Sequence, residues 1–192
     1  VLTRNGFPAH DVDMYRYLVG EGAVMLMHRA LPEDKRNEDT IRVCVQAFRE
    51  EYGRNWNVKT RPYDGVAEML DALATHDVKM AVLSNKPDDF TKRCVSEYFP
   101  QWTFDLVLGQ RDTVPLKPDP SGAIEISRFL NILPSQFVYL GDTAIDMKTA
   151  VREQVNALDA AAYFKLFAEL LKTNPAAADD APMVAKLAKI GV

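Results

Sequence analysis

Through residues 1–60 the apolar positions recur at helical spacing, and no stretch alternates or runs continuously as a strand would. Val1–Gly6 reads as the end of a helix closed by a glycine, so the chain, which opens on Val and not Met, is expected to begin inside an element. Asp11 or Asp13 can cap a helix carrying Tyr15, Leu18 and Val19 on one side. Ala23–Leu31 is rich in Met and Leu. Glu38–Gly53 is amphipathic, with Ile41, Val45, Phe48 and Tyr52 on one face and Gly53 at the expected stop. The pattern predicts a small helical bundle whose Met and aromatic stripe is core.

At Arg61-Pro62-Tyr63-Asp64-Gly65 the character changes, and short apolar runs begin to alternate with helical patterns. Asp64 is expected to cap a helix with Val66, Met69, Leu70 and Leu73 inward. Val78–Leu83 predicts a buried strand ending in Ser84-Asn85-Lys86-Pro87; Asp88 or Asp89 opens a helix with Phe90, Cys94 and Val95 inward; Phe104–Leu108 predicts a second strand. Asp119 as cap and Pro120 at the first helical position start a helix to Ile132. Phe137–Leu140 is a third strand, broken by Gly141 before a helix from Thr143. This alternation predicts an α/β fold of βαβ units around a parallel sheet with right-handed crossovers. After Val151 the rhythm stops: 152–172 reads as one long helix, 173–182 as an Ala-, Asp- and Pro-rich loop and 183–190 as a short helix. The expected divisions are therefore 1–60, 61–151 and a helical tail, 152–192.

Composition narrows the function. A chain of 192 residues suits one domain, or one with a small appendage. A net charge of −4 offers no basic patch for nucleic acid and no polybasic membrane anchor. No apolar run approaches the ~20 residues of a membrane span. Cys44 and Cys94 both fall in helical patterns and read as buried thiols of a reducing compartment, so the expected location is cytoplasmic, as monomer or homodimer. His10, His28 and His76 show no ligand spacing to one another. Arg16 and Arg29 could read a substrate carboxylate, but solvated helix faces explain them as well.

The candidate chemistry sits in three loops. Asp142 falls between strand and helix, and Asp146 lies one turn into that helix, so both can face one point above the sheet. Paired carboxylates there suit a hard divalent cation, Mg²⁺ in particular when a phosphate completes its shell; alternatively, Asp142 caps the helix and Asp146 is solvated. Ser84 and Asn85 follow one strand and can donate to phosphoryl oxygens, while Lys117 is a point charge for the same group. Strand ends of a parallel sheet emerge on one edge, so the three clusters are expected to converge.

Together these residues resemble the haloacid dehalogenase superfamily, in particular its phosphoglycolate phosphatase branch. Val82-Leu83-Ser84-Asn85-Lys86 resembles the second motif of that family, Lys117-Pro118-Asp119-Pro120 the third, and Gly141-Asp142-Thr143-Ala144-Ile145-Asp146 the fourth. Residues 1–60 resemble most of its helical cap. The resemblance implies a Rossmannoid parallel sheet and a Mg²⁺-dependent hydrolysis of a small phosphorylated acid, 2-phosphoglycolate first, through an aspartyl-phosphate. By match, Ser84 and Asn85 bind the phosphoryl group, Lys117 stabilises its charge as the catalytic lysine, and Asp142 ligates the metal with Asp146 supporting that shell or the lysine. The cap is expected to close over the site.

Two departures follow. The Asp-x-Asp-x-Thr strand end that supplies nucleophile and acid/base matches nothing here; Asp11 and Asp13 have the spacing without the strand or the Thr, and read as helix caps. The chain by itself is thus expected to be inactive, and its sheet to lack a first strand, leaving a slot of about 9.6 Å or forcing its neighbours together. The tail, in turn, resembles a different bacterial family of unknown function, often exported, with a junction near Val151. Competing readings are a non-catalytic phosphate-binding protein, a phosphomutase, and a dehalogenase, which Asp142 and Asp146 argue against.

Overall fold

The computed structural model describes residues 1–76, 78–153 and 156–159. Two compact units divide the chain, Val1–Lys59 and Thr60–Val192.

The described elements of the first unit are helices and turns. A short 3₁₀ turn, Thr3–Asn5, closes on Gly6 at a φ of 76°, the glycine stop that the sequence predicts. Asp11 accepts from the Asp13 N–H at 3.1 Å, and Asp13 pairs with Arg16 at 2.7 Å, so both acids act locally at a helix start. Then come α1 (Tyr15–Leu18), α2 (Gly22–Ala30) and α3 (Glu38–Asn55). Leu26, Met27, Ala30, Leu31, Cys44 and Val45 form the core, with Ile41 and Phe48 packed on it. Arg29 bonds Glu21 and the Leu18 carbonyl. One boundary differs: α3 runs through Gly53, which keeps a negative φ. A glycine costs a helix interior only about 1 kcal/mol against alanine, too little to end a helix of 18 residues.

In the second unit, α4 (Val66–Ala74) buries Val66, Met69, Leu70 and Leu73, the four expected positions. Its start is set by Gly65 at a φ of 89°, not by an Asp64 cap. β1 (Ala81–Pro87) and β2 (Leu106–Gln110) pair in parallel through α5 (Asp88–Tyr98). After α6 (Ser121–Leu130), β3 (Val138–Gly141) and β4 (Asn156–Asp159) pair in parallel through α7 (Ala144–Glu153). Leu83, Leu108, Ala123, Ile126, Leu130, Tyr139 and Ala150 share one hydrophobic cluster, so β1, β2 and β3 pack into the same core. Gly122 lets α6 approach β1 closely: a Cβ there would lie 2.7 Å from Leu83 Cδ1.

Three expectations can be set against these elements, one met and two corrected. First, among the described residues β1–β2 and β3–β4 are separate two-stranded ladders, so β1 and β3 do not pair and the interruption expected between them is present. Second, residues 156–159 are a strand and not part of a long helix. The edge of β3 supplies ladder partners from Val138↔Asn156 to Gly141↔Asp159, and that pairing overrides a weak local propensity. The remaining tail assignments, 160–192, lie outside the described residues. Third, β1 does not stop at Leu83. From Leu83 to Pro87 it advances four residues while its partner advances two, from Leu108 to Gln110, so the ladder bulges across Ser84, Asn85 and Lys86. No helix among the described residues is long and apolar enough to cross a membrane.

Candidate active site

The bulge in β1 aims the Ser84–Asn85 segment, and Thr91 steadies its far end by donating to the Lys86 and Pro87 carbonyls, both at 3.1 Å. Ser84 Oγ accepts from the Lys86 N–H at 3.1 Å. A hydroxyl used in this way still has its own hydrogen to donate to an anion.

Lys117, in the segment entering α6, joins the clusters. Its ammonium donates to Asp146 Oδ1 at 2.9 Å and to the Leu83 carbonyl at 3.3 Å. Both side chains are buried, 8% and 1% exposed. One cation therefore reaches the residue before Ser84 on β1 and the first turn of α7, four residues after Asp142. Asp146 Oδ2 accepts from Thr143 Oγ1 at 2.8 Å and from the Thr143 N–H at 3.2 Å, closing that turn. Gly141 makes room for it, since a Cβ at Gly141 would fall 2.2 Å from the Asp146 Cβ. Tyr139, buried beneath, is held well above the ordinary tyrosine range, first by burial and then by the Asp146 charge, and stays neutral.

Asn85 does something the sequence did not show. Its Oδ1 accepts from the Lys117 N–H at 2.8 Å and its Nδ2 donates to the Lys117 carbonyl at 3.0 Å. The side chain thus pairs with the Lys117 backbone as a neighbouring strand would. Asn85→Ala strands a buried N–H and a buried C=O, and is expected to cost about 1–3 kcal/mol in urea unfolding. A loss below about 0.5 kcal/mol would show that the clamp contributes little.

Asp142 lies in the turn between β3 and α7, where its Oδ2 accepts from the Tyr63 hydroxyl at 3.2 Å. Burial, and then the Asp142 charge, raise the Tyr63 phenol, which keeps it a donor at neutral pH. Beside the Ser84–Asn85 bulge a cleft opens between Gly109, Arg111 and the Val114–Lys117 segment. Arg111 grips Glu125 through two bonds of 2.8 and 2.6 Å, and the bond from Arg111 draws the Glu125 carboxyl below its ordinary range. Sequence reading missed Tyr63, Arg111 and Glu125. No local spacing marks a phenol 79 residues from its acceptor, or an ion pair 14 residues apart.

The donor set bears on a cation. No three His, Cys, Asp or Glu side chains gather into a metal cluster among the described residues. What is present, the Asp142 carboxylate at the strand–helix turn and, four residues on, an Asp146 already engaged by Lys117 and Thr143, is an oxygen donor set. That fits Mg²⁺, which takes one or two carboxylates and completes its shell with phosphate and water.

Residues 1–160 match the family described as haloacid dehalogenase-like hydrolase. A phosphoglycolate phosphatase of Psychrobacter arcticus is 28% identical over 186 residues, covering 94% of this chain and 81% of that protein. Phosphoglycolate phosphatase 1 of Pseudomonas aeruginosa is 29% identical over 155 residues, 78% of this chain, and the chain spans 56% of its length. A predicted phosphoglycolate phosphatase from Haemophilus somnus superposes with a TM-score of 0.75 at 23% identity, over 82% of this chain and 73% of that one. A haloacid dehalogenase-like family hydrolase from Streptococcus pneumoniae gives 0.73 at 16%, over 96% and 81%. These two likenesses show the fold alone. The family match runs past Val151 and takes in β4. The match over most of the chain and the parallel α/β fold agree: this chain belongs to the haloacid dehalogenase-like hydrolase family.

Proposed function

We propose that the gene product carrying this chain hydrolyses the phosphate monoester of a small acid, 2-phosphoglycolate being the first candidate, with Mg²⁺ held at Asp142. The observation that supports the reading most is the Lys117 ammonium, 2.9 Å from Asp146 and 3.3 Å from the Leu83 carbonyl, at the lip of β1. A buried ammonium fixed by two acceptors is an anchored positive charge for a phosphoryl oxygen. Ser84 donates its hydroxyl to the same group, Asn85 serves it by holding the Lys117 backbone, and Asp146 orients the lysine and backs the cation. Bound at Asp142, Mg²⁺ would neutralise phosphoryl charge and orient the ester. Cys44 and Cys94, both buried and free, suit a reducing cytosol.

The attacking aspartate is not among these residues. A gene product with an Asp-x-Asp-x-Thr strand ahead of Val1 is expected to release phosphate from 2-phosphoglycolate only with Mg²⁺ present, and Asp142→Ala to lower turnover by at least ~100-fold. Undiminished turnover in that variant counts against the site. The 192-residue chain alone is expected to release none; turnover by it would show the nucleophile to be mislocated.

A second reading, a phosphate-binding protein without catalysis, is favoured by the missing first motif. Calorimetry separates the two: binding of a phosphate ester with Mg²⁺, and no hydrolysis by the complete gene product, would establish the second. Product analysis would reveal a mutase, which returns the phosphoryl group to its substrate.

A further inference from the structure

We propose that Tyr63 is a positioning residue for the cation site: its hydroxyl fixes the Asp142 carboxylate so that an arriving divalent cation meets an oxygen already in place. The inference rests on Asp142 being the cation's ligand. The hydroxyl lies 3.2 Å from Asp142 Oδ2 although 79 residues of chain separate the two. A carboxylate oxygen has more than one lone pair, so it can accept from a phenol and still coordinate.

Both ends of this bond are braced. On the tyrosine side, the Tyr63 carbonyl accepts from the Val66 N–H at 3.2 Å, which ties the residue to the first turn of α4. That helix is anchored by Met69, Leu70 and Leu73, each 0% exposed. On the acid side, Gly141 is buried against Asp146 and Thr143 is bonded to it, so the backbone on either side of Asp142 is fixed. These contacts fix the backbone, and the phenol adds a directed donor to the Asp142 carboxylate itself. Hydrogen-bond partners of metal-ligating carboxylates commonly change metal affinity about 10- to 100-fold when removed.

The test is calorimetric titration of the 192-residue chain with MnCl₂ or MgCl₂, comparing the unchanged protein, Tyr63→Phe and Asp142→Asn. Tyr63 is 42% exposed and Phe keeps its ring, so the fold is expected to survive, with circular dichroism and the melting point as controls. The expected result is a Kd raised about 10-fold in Tyr63→Phe with the melting point unchanged, and no measurable uptake in Asp142→Asn. A perturbed tyrosine absorption on cation addition, present in the unchanged chain and lost in Tyr63→Phe, would support the same assignment. Should Tyr63→Phe bind as tightly as the unchanged chain while Asp142→Asn does not bind, the positioning role is wrong and the site stands. Should Asp142→Asn bind normally, or the unchanged chain take up no cation, the site reading itself fails and the inference with it.

Discussion

Lys117→Met is expected to lower the unfolding free energy by about 3–5 kcal/mol, because it leaves the Asp146 carboxylate buried with its charge uncompensated. The pair sits at 2.9 Å with both side chains nearly sealed from water, unlike the exposed pairs of α3, such as Arg42–Asp39. Exposed pairs contribute about 0–1 kcal/mol, so the size of the effect tells the two environments apart. Urea unfolding of Lys117→Met, Asp146→Asn and the double variant measures it. The double variant should recover at least half the loss, since it removes the orphaned charge together with its partner. If Lys117→Met alone costs less than about 1 kcal/mol, the pair is effectively solvated and the anchored-cation argument is lost.

Gly141→Ala is the second large effect. The added Cβ would stand 2.2 Å from the Asp146 Cβ and 2.6 Å from its Cγ. Side-chain rotation does not relieve a clash with a Cβ, so the first turn of α7 must move. Overpacking of this kind costs about 1–3 kcal/mol. The displacement also pulls Asp146 away from Lys117, so affinity for inorganic phosphate should fall with stability in this variant. A variant that melts normally and binds phosphate normally would mean that strand β3 and helix α7 are free to separate.

Much of this was legible in the chain. The strand expected at Phe137–Leu140 is β3, shifted by one residue so that Gly141 closes the ladder and does not break it, and the spacing of Asp142 and Asp146 placed one on the turn and the other in the helix. The inward face of α4 was read correctly because four apolar residues at helical spacing admit few alternatives. β4 was missed because Asn156–Asp159 carries little strand propensity; its conformation is dictated by the edge it pairs with. The double grip of Asn85 on Lys117 and the reach of Tyr63 to Asp142 were illegible for a related reason. Each depends on residues 32 and 79 positions apart meeting in space, and periodicity reports only on neighbours. For Asn85 the sequence suggested direct contact with a phosphate, and the structure adds two bonds from its amide to the Lys117 backbone.

Among the described residues no backbone ladder runs between β1 and β3, so none fastens the two halves of the second unit there. Lys117 fastens them at the lip, its charged tip drawn to one half and its main chain hooked by the other. Above the hydrophobic core that the two halves share, polar cohesion at the lip and anion capture therefore meet at one nitrogen. An anion that pulls it outward loosens the seam, and amides flanking the seam should exchange hydrogen faster when phosphate is present without a cation to balance it.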